Sequence, residues 1–176
     1  MLIQLLLLIW GTQNIGLCAH RDFFERAHYV LASAYGALES DNTTEEFIIV
    51  GSLESNCGQQ LKSFSSSACG PWHLLPKYFG PCFSSWFKEA IRAGKAIDDF
   101  KNSCGNKYWY QCYRKGTGVC KRGGFGLKNE MLCHSAQNGY NLHKNQLFRG
   151  MEKIKKKVDY YYPKYYVLRD IAPFRN

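Results

Sequence analysis

The chain has 176 residues and a formal net charge of +9, with 45% hydrophobic and 15% aromatic residues. This length predicts one domain that buries a core of its own, unlike the smallest disulfide scaffolds. Beyond residue 19 no apolar run reaches the length of a membrane span, so we expect no membrane anchor in the mature chain.

The positive charge is concentrated in the second half of the chain. Residues 1–100 carry seven Lys/Arg and ten Asp/Glu, a net charge of −3, whereas residues 101–176 carry sixteen and four, a net charge of +12. Such an asymmetry favours a basic half that contacts a polyanion. Basic surfaces also serve solubility alone, which is the simpler interpretation.

The N-terminal residues predict export. Residues 2–10 are almost entirely apolar and no charged side chain precedes Arg21, as in a secretory signal peptide too short to span a bilayer. We predict a leader over residues 1–19, cleaved after Gly16 or after Ala19, and a single secreted, extracellular domain over residues 20–176. The first cut keeps Cys18 and the second removes it.

Three segments predict helices in the first hundred residues. Apolar residues recur at three- and four-residue steps over 22–38, with Asp22 as candidate N-cap. The same spacing continues over 43–64, and again over 81–100, where Pro81 suits the first turn of a helix. These segments predict a mainly α, disulfide-stabilised domain of four or five helices.

The connection before the second helix carries a modification signal. Asn42-Thr43-Thr44 is an N-glycosylation sequon, so we expect this loop at the surface and treat Asn42 as a candidate glycosylation site. Thr43 and Glu46 have the spacing of a capping box, which predicts the start of the helix that follows.

The basic half begins with a segment of different character. Residues 104–126 are rich in Gly, Tyr and Lys/Arg and lack a helical period, which predicts a short basic β-hairpin or loop insertion over Tyr108–Val119. A last helix is predicted from Asn141 to Tyr161, ended by Pro163. From about residue 141 the chain is therefore a basic, aromatic helix and tail.

Export predicts that the cysteines form disulfides. Seven of them follow residue 19: Cys57, Cys69, Cys82, Cys104, Cys112, Cys120 and Cys133. Two local pairs are geometrically plausible, Cys112 with Cys120 across the hairpin and Cys69 with Cys82 around a proline-flanked loop. The cysteine spacing does not match structural zinc sites, so we expect no metal and no cofactor.

The candidate binding residues are the clustered cations of the basic half. They are Arg114, Lys115, Lys121, Arg122, Arg149, Lys153, Lys155, Lys156 and Lys157. The first four belong to the predicted hairpin and the other five to the last helix. The apolar stripe of that helix consists of Leu147, Met151, Ile154 and Val158. With this stripe inward, Arg149, Lys153 and Lys156 share the outer face of the helix. Such a surface suits a sulfated glycan, another anionic surface or a protein receptor.

Signatures of enzymes are weak in this chain. It has no nucleophile elbow, no zinc-protease helix and no phosphate-binding loop, so no catalytic residue is assigned. We interpret the chain as a non-enzymatic binding or signalling protein. The alternative is a small secreted hydrolase or host-defence protein that acts on lipid or cell-wall surfaces. Clustered His and Asp in a cleft would favour the enzyme, and a continuous basic face would favour binding.

Overall fold

The computed structural model describes residues 2–120 and 127–161, which form seven helices and no strand. The helices are α1 Leu2–Asn14, α2 Phe23–Leu38, α3 Thr44–Ser55, α4 Pro76–Phe79, α5 Trp86–Cys104, α6 Trp109–Lys115 and α7 Leu127–Tyr161. The mainly helical fold is confirmed. More than four or five helices occur because α1 lies in the predicted leader and α4 and α6 are short. None of the described helices is both long enough and apolar enough to span a bilayer.

The starts of α2 and α3 are as predicted, because side chains satisfy their first backbone N–H groups. Asp22 Oδ1 accepts a hydrogen bond from the N–H of Glu25 at 2.8 Å, and Thr43 Oγ1 accepts one from Glu46 at 3.3 Å. Both glutamates accept from the backbone N–H of their capping residue in return, which completes two capping boxes.

The predicted extension of α3 to residue 64 is wrong. The helix ends at Ser55 because the backbone is left-handed at three consecutive residues, with φ of 54°, 58° and 78° at 56–58. The middle residue, Cys57, is bonded to Cys18, so the helix end is covalently tied to the chain that follows α1.

The start of α5 also differs from the prediction. The helix begins at Trp86 rather than at Pro81, because Ser85 Oγ accepts the N–H of Lys88 and caps it.

The apolar spacing of α2 located the helix but not its buried face. Its interior positions include Tyr29, Val30 and Gly36, whereas Phe24 and Leu38 are exposed. Gly36 faces Phe47 of α3 so closely that a Cβ there would lie 2.5 Å from its ring. Close approach of α3 therefore decides which side of α2 is buried.

The predicted β-hairpin is wrong. Residues 109–115 form α6, and a left-handed Gly116 ends it with its N–H donating to the carbonyl of Cys112 at 2.7 Å. The segment has little helical period of its own. It is helical because α5 and α7 pack on it and bury Trp109, Tyr110, Gln111 and Cys112. The ring of Trp109 packs 5.2 Å from that of Tyr140 in α7.

All eight cysteines form disulfides. The pairs are Cys18–Cys57, Cys69–Cys82, Cys104–Cys112 and Cys120–Cys133. The pair Cys69–Cys82 is as predicted. The predicted pair Cys112–Cys120 is wrong, because α6 replaces the hairpin that would have placed these residues opposite each other. Cys112 in α6 is instead bonded to Cys104 at the end of α5, and Cys120 is bonded to Cys133 in α7.

The last helix starts earlier than predicted. It begins at Leu127, and Asn141 lies inside it, where its Oδ1 accepts from the side chain of Gln137 at 3.3 Å. The residues before Asn141 are helical because the disulfide at Cys133 and the burial of Tyr140 anchor this part of α7 to the rest of the fold. The side chain of Val158, Pro163 and the aromatic tail lie outside the described residues and side chains.

The core is organised around an aromatic side chain from a loop. Trp72, between α3 and α4, is fully buried, and its indole N–H donates to the carbonyl of Phe47 at 3.0 Å. Its ring lies 6.1 Å from that of Tyr29, whose hydroxyl donates to Ile48 of α3 at 2.8 Å. These bonds connect α2, α3 and the loop closed by Cys69–Cys82.

Candidate functional site

The structure separates the predicted binding residues. Arg114 lies on α6, where its guanidinium forms an ion pair with Glu54 of α3 at 2.6 Å. Lys115 is exposed at the end of α6. Lys121 and Arg122 lie outside the described residues. The stiff basic finger expected from a hairpin is therefore absent from the described chain, and Arg114 is occupied by a contact within the fold.

Five of the predicted cations lie exposed on α7. They are Arg149, Lys153, Lys155, Lys156 and Lys157. Among the described side chains none of these five takes part in an ion pair. The spacing of 149, 153, 156 and 157 places four of them on one side of the helix, and Lys155 faces another direction. Arg149, Lys153, Lys156 and Lys157 are together named the α7 cationic face.

The apolar stripe of α7 fixes the direction of that face. Leu147, Met151 and Ile154 are buried, as predicted, and α1 is one of the helices packed on α7. The two helices cross at glycines: a Cβ at Gly150 would lie 2.5 Å from Ile15, and one at Gly11 would lie 3.0 Å from Met151. Close packing of the stripe on α1 turns the cations outward.

A cleft of about 760 Å³ lies along this crossing. Its lining residues are Trp10, Asn14, Ile15, Gln146, Arg149, Gly150, Lys153, Ile154, Lys156 and Lys157. The lining combines an apolar floor with four cations, and among the described residues no histidine or carboxylate contributes to it. This composition suits binding of an anion that also has an apolar part.

Buried titratable groups lie at the contact between α3 and α7. Burial raises the pKa of Glu45 from 4.5 to about 7, and among the described residues its Oε1 has no hydrogen-bond partner. Burial also raises the pKa of Tyr140 well above its ordinary value and lowers that of His143. Hydrogen bonds from the backbone and from Thr43, and more weakly the charge of Lys144, oppose this rise in the pKa of Glu45. Because the pKa of Glu45 is about 7, this contact is sensitive to pH near neutrality.

A buried ion pair connects α5 to the loop closed by Cys69–Cys82. Arg92 Nη2 lies 2.9 Å from Glu89 Oε2, and both side chains are almost completely buried. The guanidinium also donates to the carbonyls of Gly80 at 2.8 Å and of Cys69 at 3.1 Å. Glu89 Oε1 accepts the backbone N–H of Phe83 at 2.6 Å. The pair thus satisfies three backbone polar groups of the segment between α3 and α5.

The sequon asparagine is buried rather than at the surface. Asn42 is 8% exposed, and its Nδ2 donates to Asp98 at 2.7 Å and to Ser40 Oγ at 3.0 Å. Nδ2 is the atom to which an N-linked glycan is attached. A glycan at Asn42 would therefore have to replace these hydrogen bonds.

Sequence reasoning missed several of these groups. Glu45, Glu89 and Arg92 resembled ordinary solvated charges, because periodicity does not distinguish a charged residue that a neighbouring loop covers. The glycines at 11 and 150 were a usable signal, since an interior helix glycine is unfavourable unless a close approach requires it.

Comparison of the chain with protein-family models, curated proteins and solved structures found no match to any of them.

Proposed function

We propose that this protein is exported and binds an extracellular polyanion, such as a sulfated glycan, through the α7 cationic face. The observation that carries the proposal is the set of four cations on one side of α7 without carboxylate partners among the described side chains. They extend over nine residues, 149–157, or about 12 Å of helix. A rigid helix holds them in place, so little conformational entropy is lost on binding.

The chemistry of the cleft also favours binding over catalysis. Hydrolysis by acid–base chemistry needs a positioned base or acid, which is most often His, Asp or Glu. The described lining has none of these, whereas it has one arginine and three lysines. Lysine is a compact point charge that contacts sulfate or phosphate without demanding one geometry.

The disulfide at Cys18 supports one of the two leader cuts. Cleavage after Gly16 retains Cys18 and its bond to Cys57, so every cysteine stays paired. Cleavage after Ala19 would leave Cys57 as a single thiol. Oxidised pairs persist in an extracellular environment, which agrees with export.

We therefore expect the secreted protein to begin at Leu17 and to contain no free thiol. Intact mass before and after alkylation under denaturing, non-reducing conditions measures both properties. The mass of a chain that begins at His20, together with one alkylated cysteine, would show that the leader is cleaved after Ala19.

We expect the protein to be retained on heparin and to elute at lower salt when Arg149, Lys153 and Lys156 are changed to glutamine. Binding of cations to a polyanion releases counterions, so the dependence of log Kd on log salt should also become shallower. Heparin chromatography and titration at several salt concentrations measure the two effects.

The matched control removes the same charge from elsewhere on the molecule. Lys62, Lys88 and Lys95 are exposed lysines in the acidic half, and changing all three to glutamine should leave heparin elution almost unchanged. Equal elution of the wild type and both triple variants would mean that the α7 cationic face serves solubility only.

A further inference from the structure

The surface of α7 and α2 that α1 covers, here named the α1 seat, becomes an apolar groove when the leader is absent. This inference rests on the proposed export with cleavage after Gly16. In the full chain Leu8 and Ile9 of α1 are buried, and α1 contacts both α7 and α2. Cleavage removes all thirteen residues of α1 but keeps the Cys18–Cys57 anchor at the end of the seat.

Removal of α1 exposes the stripe that it covers on α7. Met151 touches the position of Gly11, and Gly150 touches that of Ile15, so both lose their neighbours. Leu147 Cδ1 would also lie 3.8 Å from a Cβ at Gly11, so it loses this neighbour as well. A row of apolar side chains over two helical turns is unfavourable in water and is stabilised by an apolar occupant.

The charges beside the groove select the occupant. Arg149, Lys153, Lys156 and Lys157 line the cleft along one side of the α1 seat, and the lining contains no carboxylate among the described residues. A neutral apolar ligand would leave these cations without a partner, whereas an anionic head group gains charge-assisted hydrogen bonds from them. The occupant should therefore have an apolar body and a negative end.

The length of the seat is sufficient for an acyl chain. The seat accommodates one helix of thirteen residues, about 20 Å long, which exceeds the length of an extended twelve-carbon fatty acid such as laurate. The cleft of about 760 Å³ beside α1 is lined in part by Trp10, Asn14 and Ile15, so cleavage after Gly16 widens it and leaves the lining residues of α7 in place. We propose that the mature protein binds a free fatty acid in the α1 seat, with the carboxylate against the α7 cationic face and the chain on Leu147, Met151 and Ile154.

The test uses the secreted protein, freed of lipid, with laurate as the probe and methyl laurate as its neutral counterpart. Isothermal titration should show laurate bound at one site and methyl laurate bound about tenfold more weakly or worse, because it lacks the charge-assisted hydrogen bonds. Lys153→Gln with Lys156→Gln should weaken laurate binding about tenfold. Lys155→Gln, on another side of the same helix, should change it less than about twofold.

A substitution in the groove separates this proposal from polyanion binding. Met151→Asn places a polar amide on the groove floor without adding charge beside the cations, so it should strongly weaken laurate binding while heparin elution stays nearly unchanged. Ile154→Asn is the second variant if thermal unfolding shows that Met151→Asn is not folded. Heparin retention without laurate binding would overturn the fatty-acid site and leave the polyanion site standing.

Three other results would also overturn the fatty-acid site. Equal affinity for laurate and methyl laurate would remove the role of the cations. Sedimentation with anionic vesicles without binding of monomeric laurate would indicate a membrane surface instead. A native N-terminus upstream of Gly11 would mean that α1 still covers the seat.

Discussion

Replacing Arg92 with alanine should destabilise the fold by about 3–5 kcal/mol, because the substitution leaves Glu89 as a buried charge without its partner. The carbonyls of Gly80 and Cys69 lose their donor at the same time. The covalent bond Cys69–Cys82 keeps the loop near α5, so the destabilisation should come from unpaired polar groups and not from loss of the loop. Chemical denaturation with the disulfides intact measures it.

Two substitutions show whether the buried position of Arg92 is responsible. Arg92→Lys should give an intermediate loss, because one ammonium group reaches fewer acceptors than the forked guanidinium. Arg21→Ala removes the ion pair with Glu25, which lies nearer the surface, and should cost less than about 1 kcal/mol. A loss below about 1 kcal/mol for Arg92→Ala would mean that water or a rearranged loop satisfies Glu89.

The stability of the protein should fall by about 3 kcal/mol between pH 4.5 and pH 7 through Glu45 alone. Its pKa is raised from 4.5 to about 7 in the folded chain, chiefly because the side chain is buried. The folded state thus holds the proton more tightly than the unfolded state, so this contribution is complete below pH 4.5 and is lost as pH rises through 7. The size follows from about 1.4 kcal/mol per pKa unit.

Glu45→Gln isolates this contribution from the other groups that titrate. The amide stays neutral, so the difference in unfolding free energy between the variant and the wild type should grow from pH 4.5 to pH 7.5. Asp98, whose pKa is raised by partial burial, and His143, whose pKa is lowered, contribute equally to both proteins and cancel. Glu39→Gln, at an exposed position, is the control. Parallel curves for the wild type and Glu45→Gln would show that Glu45 does not titrate in this range.

The sequence predicted helices where local signals are strong. Asp22 and Thr43 cap their helices through side-chain oxygens that bond to the nearest turn, and such bonds depend only on neighbouring residues. The stripe from Leu147 to Ile154 was buried as expected, because α7 contacts the core along one side.

Elements that depend on distant contacts were predicted poorly. The segment containing Trp109 and Tyr113 has little periodicity in seven residues, and it is helical because α5 and α7 cover it. The exposed Phe24 and buried Tyr29 show the same limit, since a helical period fits more than one face when aromatic residues occupy both. The cations of the last helix are exposed as the apolar stripe predicted, and their role in binding stays a prediction. Arg114 of the predicted hairpin instead bonds to Glu54, which lies sixty residues away in the chain, and no local pattern indicates that contact.

The disulfide connectivity has a consequence for how the chain matures. Counted along the chain, the first cysteine is bonded to the second, the third to the fourth, the fifth to the sixth and the seventh to the eighth, so no bridge encloses or crosses another. Every pair can therefore close as soon as its second member enters an oxidising compartment, before any later cysteine is available to compete. At the usual pace of synthesis Cys112 follows Cys104 within about a second. If the chain enters that compartment N-terminus first, this one set of disulfides is favoured over the many others that eight cysteines allow, provided that cleavage leaves Cys18 on the chain.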